Sequence, residues 1–156
     1  MRRKEREITD KAKIKEILEH CQVCRIGMLD GQRPYVVPMS FGFVWEDELI
    51  FYFHGALEGK KTDLLKINSN VCLEFDTNVE LVEGKVACGF STEYQSVIAY
   101  GKAEFLNLED KKEALDAVMY KYTKRKDFTY PVMMLKKVAV LKVVVTEMTA
   151  KGHQRK

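Results

Sequence analysis

The chain has 156 residues, 46% hydrophobic and 31% charged, which fits one domain and excludes a disordered chain. Its net charge of +3 sits at the ends, with +2 on residues 1–7 and +3 on residues 151–156, leaving −2 between; a nucleic-acid binder would hold its positive charge on a structured face. No apolar run approaches the roughly 18–20 residues that span a bilayer, and MRRKEREITD lacks an apolar signal core, so a cytoplasmic protein with no membrane partner is expected.

Thr9 or Asp10 is placed to cap a first helix ending near His20, because Ile14, Ile17, Leu18 and Cys21 follow at i, i+3, i+4 and i+7. Cys21 and Cys24 form a C-x-x-C at its end. A zinc site would need a second matched pair, whereas Cys72 and Cys88 stand sixteen positions apart and His20, His54 and His153 have no H-x-x-x-H spacing. A redox pair would want a helix N-terminus, the opposite pole. Reduced structural thiols and no metal are expected.

The segment CRIGMLDGQRPYVVPMSFGFVWEDELIFYFHG breaks into three or four short β-branched and aromatic runs, an antiparallel meander. Asp30-Gly31 predicts a type I′ hairpin turn. Pro34 and Pro38 lack backbone donors, so RPYVVPMSF belongs at an edge or bulge, either plainly irregular or with backbone left free for a ligand.

Next comes HGALEGKKTDLL, which is not a P-loop: Gly55 and Gly59 are three residues apart, and Lys61 separates Lys60 from Thr62. A lysine pair before a helix of about residues 61–67, stopped at Asn68, can still hold a phosphate monoester, since helix amides and ammonium groups act together. The alternative is a solvated basic pair. His54, ending the strand LIFYF, is either a ligand contact or a strand cap.

Strands are predicted over Val71–Asp76, over Glu80–Cys88 with a turn near Glu83-Gly84, and over Tyr94–Leu106, where Gly101 marks a bulge or close contact. Gln95 and Ser96 put polar donors at the head of the last of these. Asn107 is placed to cap a helix whose face is Leu115, Val118, Met119 and Tyr122, and residues 138–145 form the most apolar strand. The sum is a mainly β, nearly closed antiparallel barrel with helices over its openings.

In order and spacing, MRRKEREITD, RPYVVPMSFGF, YFHGALEGKKTDLLKINSNVCLEFD, YQSVIAYGKAEF and VTEMTAKGH resemble the FMN-binding split-barrel proteins of the pyridoxamine 5′-phosphate oxidase-like group, specifically the 5-nitroimidazole-resistance (Nim) type. The resemblance covers nearly the whole chain. It implies a homodimer with FMN at the interface: Val37, Pro38, Met39 and Ser40 beside the isoalloxazine, and Phe53, His54, Gly55 and Ala56 along the next wall. Lys60 and Lys61 would hold the phosphate, after a family serine that is Gly59 here, and Gln95 and Ser96 would reach the cofactor from their strand.

The implied activity is flavin-dependent reduction of a small aromatic acceptor such as a nitroimidazole, with His54 the catalytic candidate. The alternative is a flavin- or haem-binding sensor, the haem held through His54, without turnover. No G-x-G-x-x-G is present, so any NAD(P)H would bind transiently.

Overall fold

The computed structural model describes residues 3–153; Arg2, Arg155 and Lys156 of the basic ends lie outside them. A 3-10 turn at Lys4–Arg6 precedes β1 (Glu7–Ile8) and α1 (Lys11–His20). Then follow β2 (Cys24–Asp30), β3 (Arg33–Met39), β4 (Gly42–Trp45), β5 (Leu49–Ala56), α2 (Lys60–Ile67) and β6 (Asn70–Val82). The chain continues through β7 (Ser91–Phe105), α3 (Lys111–Thr123), α4 (Val132–Leu135) and β8 (Val138–His153).

The strands form one antiparallel sheet in the order β3-β2-β6-β7-β8-β5-β4, with β1 added to the end of β8. Its two outer strands, β3 and β4, are neighbours in sequence, joined only by residues 40–41. A two-residue link cannot cross a flat seven-strand sheet, whose strands lie about 4.8 Å apart. The sheet must therefore curl until its edges meet. Among the described residues no ladder joins β3 to β4, so the result is a barrel split along one seam. The prolines of β3 explain where the split falls, because an edge strand is the place where missing donors cost least.

Alternation along the strands fills the barrel with aromatics. Phe41, Phe51, Phe53 and Phe75 are fully buried; Phe51 stacks on Phe75 at 4.7 Å between centroids, and Phe41 meets Phe75 edge-on at 4.9 Å. Helix α1 buries Ile14, Ile17 and Leu18 against this core, and its N-cap Asp10 accepts from the Lys13 amide at 2.7 Å. The carbonyls of Glu19 and Cys21 at its other end accept from the buried Lys121 ammonium of α3, at 3.0 and 2.8 Å. A helix leaves its last carbonyls without intrahelical partners. Lys121 supplies them.

Several expectations change in detail. The β2–β3 turn is centred on Gly31-Gln32, since Asp30 pairs with Arg33. Gly31 alone has positive φ there, as a II′ turn requires and a I′ turn does not. No separate strand covers Glu80–Cys88: β6 passes a register shift at Asn78 (φ 54°) and runs on to Val82, after which the chain turns through a 3-10 segment, Ala87–Gly89. The shift lets one long strand serve where two were expected. Gly101 does sit at a register shift between β7 and β8.

Helix α3 is flanked by Asp110 rather than Asn107, whose carbonyl instead accepts from the Asp110 amide in the preceding turn. Its buried positions are Lys111, Ala114, Val118 and Lys121. The expected face is thus rotated, because the two lysines satisfy backbone carbonyls beneath the helix. All four cysteines are free; Cys21 and Cys24 are buried. Among the described residues no helix is long and apolar enough to cross a membrane.

Candidate functional site

The seam is where backbone and side chains are left uncommitted. Among the described residues, strand β4 covers β5 only as far as Tyr52, so one edge of Phe53–Ala56 carries no ladder, and β3 pairs only with β2. The ends of β3 and β5 approach each other here, and α2 starts above them. A cavity of about 270 Å³ lies between, lined by Tyr35, Val37, Pro38 and Met39 from β3, Ala56 at the end of β5, Glu58 after it, and Gly59, Lys60, Lys61 and Thr62 at the head of α2.

Lys61 occupies the middle of the seam. Its Nζ is 3.1 Å from Met39 Sδ, and a Cβ on Gly55 would lie 2.7 Å from it and 3.8 Å from Met39 Cε. Burial holds its ammonium below the ordinary lysine range, and no carboxylate in the described residues pairs with it. A partly desolvated cation without a counter-ion beside helix amides is an anion site in waiting.

Gly59, the N-cap of α2, has φ 126° and no side-chain cap bond, so the first amides of the helix stay open. Side chains rarely adopt that φ. This accounts for glycine where the resemblance expects serine. Thr62, buried in the first turn, donates to Ala56 O at 3.3 Å and ties α2 to the end of β5.

Lys60 differs from its neighbour. Its Nζ pairs with Asp30 Oδ2 at 2.5 Å and lies 4.8 Å from the Tyr35 ring centroid. The Lys60 hydrogen bond, with a weaker contribution from Arg33, holds the Asp30 carboxyl below the ordinary range.

Sequence and fold comparisons meet on this arrangement. The pyridoxamine 5′-phosphate oxidase family model matches residues 10–152. The chain belongs to that family. No protein of curated function matches it. Among solved structures, a candidate 5-nitroimidazole antibiotic resistance protein from Bacteroides thetaiotaomicron is 38% identical, with 94% of this chain and 86% of that one covered and a TM-score of 0.81. That relative is of the Nim type. The same fold recurs in an FAD and heme binding protein from Mycobacterium smegmatis (14% identity, 96% and 74% covered, TM-score 0.83). It recurs again in a flavocytochrome from Azotobacter vinelandii (21% identity, 99% and 72% covered, TM-score 0.82).

In this member of the pyridoxamine 5′-phosphate oxidase family, Val37, Pro38, Met39, Gly55, Ala56, Lys60 and Lys61 come together at the seam. Ser40 is exposed in the link between the sheet edges, and Phe53 is fully buried in the core, leaving only its backbone near the opening. His54 goes elsewhere. Its neighbour Gly55 faces Lys61, so strand alternation turns His54 to the outer side of β5. There it lines an apolar cavity of about 210 Å³ with Leu115, Val118, Met119, Tyr130 and the α4 residues Met134 and Leu135.

Gln95 and Ser96 are also remote. Gly55 pairs with Ala139 of β8 and Gln95 with Gly152, about 40 Å further along that strand at its usual rise. They also point to opposite faces: Gln95 is buried, its Oε1 accepting from Asn78 at 2.7 Å, while Ser96 stands in register with Asp76 and Lys151. Asp30 and Tyr35 are what the sequence reading missed. Asp30 was legible only as a turn residue, because its partner is thirty positions away.

Proposed function

We propose that this chain binds FMN at the seam, with the terminal phosphate on Lys61 and the open amides of α2, and serves as a flavin-dependent reductase. The carrying observation is the half-buried Lys61 between Met39 and Gly55, without a carboxylate partner among the described residues. The residues fit the group: a phosphate monoester needs the cation and helix amides, and a flavin ring needs an apolar wall with free backbone, which Val37–Met39 and the open edge of Phe53–Ala56 offer. Bound flavin supplies the redox chemistry. The protein positions it and limits access to it.

The seam cavity falls below the roughly 300–1,000 Å³ of sites that bury a drug-sized ligand. A second copy completes it in this reading, bringing Ser96, which shares the outward face of Tyr100, to the cofactor edge, while Gln95 stays buried on the other face. Support comes from a row of outward residues across four strands, in which Val36 (57% exposed) and Tyr100 (46%) flank Gly27 and Cys72, with Leu29 exposed nearby. Such a surface suits a dimer interface.

The acceptor we favour is a small nitroaromatic, because the 38% identical relative is a candidate 5-nitroimidazole resistance protein. His54 would then act from the outer cavity or not at all. The test begins with a visible spectrum: a flavin doublet is expected, and colourless protein that takes up no added FMN rejects the cofactor reading. Anaerobic reduction by NAD(P)H followed by a nitroimidazole comes next. Failure of the nitro compound to reoxidise the flavin would leave a carrier or sensor rather than a reductase. Haem through His54 is disfavoured by the small size of its cavity, and a Soret band would reverse that.

A further inference from the structure

The two lysines of the seam stand in different electrostatic states, and the difference bears on which phosphate the site accepts. Lys61 faces the cavity with no carboxylate partner among the described residues. Lys60 is already neutralised by Asp30, which reaches it from the tip of the β2–β3 hairpin. Both members of that pair retain solvent contact, with side chains 53% and 33% exposed, so the pair can be broken at modest cost. Its place is nevertheless specific: Lys60 lines the cavity and lies over Tyr35, another lining residue, so the ammonium is at the rim and needs only to exchange one oxyanion for another.

We propose that Asp30 is a built-in competitor for the ligand phosphate, holding Lys60 until a doubly charged phosphate takes it, and so favouring flavin monophosphate over flavins whose phosphates are singly charged diesters. This rests on the seam being the flavin phosphate site. A phosphate monoester carries close to two negative charges at neutral pH and outbids a carboxylate for the ammonium. Each phosphate of a dinucleotide carries one charge and does not. The fixed charge of Asp30, next to Arg33 in the turn, also repels any anion that leaves it unpaired. The aspartate therefore acts as a filter on charge rather than on shape.

The experiment compares FMN, FAD and riboflavin binding by fluorescence quenching in the wild-type chain and in Asp30→Asn, at low ionic strength where such pairs are least screened. FMN should bind the variant about threefold more tightly and FAD about tenfold, the range spanned by freeing one exposed ion pair for a charge-assisted contact. Riboflavin, with no phosphate, should change by less than about twofold, within the noise of a remote surface substitution. Equal gains for FMN and FAD, weaker binding of both, or a matching gain for riboflavin would overturn the filter while leaving the site intact. A wild-type chain that takes up no flavin would overturn the site, and the inference with it. Should Asp30→Asn fail to fold, carbon-detected NMR of wild-type Asp30 decides: adding FMN should raise its carboxyl titration toward the ordinary value as Lys60 departs, and an unmoved titration rejects the competition.

Discussion

Gly55 and Lys61 share one volume: a Cβ on the glycine would stand 2.7 Å from the lysine Nζ. The missing side chain is what admits the ammonium to the seam. Gly55→Ala should therefore leave the fold nearly unchanged, because the displaced atom is the end of a flexible chain, but push Lys61 off its position. We expect flavin affinity to fall about tenfold, the loss of one charge-assisted contact. Titration of FMN fluorescence with variant protein, beside a thermal melt, checks both halves.

Lys60 and Lys61 should not be equivalent under mutation. Lys61→Ala removes an unpaired cation from the phosphate position and should cost about 2 kcal/mol of flavin binding. Lys60→Ala removes a cation already engaged by Asp30 and should cost less than about 1 kcal/mol. Isothermal titration of both variants decides, and an equal loss would mean the pair acts as a unit.

Lys121 lies buried between α1 and the barrel, donating to Glu19 O and Cys21 O with its ammonium 5.2 Å from the Phe41 ring centroid. Lys121→Met keeps the stem and deletes the donors. Two carbonyls at the end of α1 would lose their partner, so urea unfolding should show a loss of about 2–4 kcal/mol. Stability within about 0.5 kcal/mol of wild type would mean that water replaces the ammonium freely.

Alkaline pH should unfold the chain through its thiols. Burial, followed by the charge of Asp76, pushes the Cys21 thiol from 9.0 up to about 12, and burial raises Cys24 as well. A raised folded value means the native state keeps a proton that the unfolded chain releases, so stability is full below about pH 9 and falls as pH rises toward 12. Lys61 and Lys121, lowered by burial, pull the other way only up to the ordinary lysine value near 10.5. Above that, the thiols act together with Tyr130, whose phenol is pushed by burial and by Asp116 from 10.0 up to about 12. Each should contribute a slope of up to about 1.4 kcal/mol per pH unit, and Cys21→Ala should flatten the unfolding free energy measured between pH 10.5 and 11.5.

Much of this fold was legible locally. Asp10 as a cap, the apolar face of α1, the edge position of the proline-bearing β3 and the helix after Lys60 all follow from chemistry within one turn or one strand. What eluded the sequence depends on partners far along the chain. The rotated face of α3 is set by carbonyls at the end of α1, at the end of α4 and at the start of β8, which Lys121 and Lys111 seek out. β1 has two residues and α4 four, too few to show any period. At the site, the lysines and their apolar wall were readable as a motif, whereas the placing of His54 on the outer face needed strand alternation fixed by neighbours.

The link at residues 40–41 has a mechanical consequence. It pins β3 to β4 at one end, while the far end of the β2–β3 hairpin is fastened to α2 through Asp30 and Lys60. The hairpin is thus a flap with a covalent hinge and an ionic clasp, and its outer edge has no ladder to restrain it. Amide exchange should be slowest beside the hinge, at Met39, and quicken toward Arg33. Releasing the clasp should steepen that gradient, whether by Asp30→Asn or by a phosphate monoester that draws Lys60 away from Asp30.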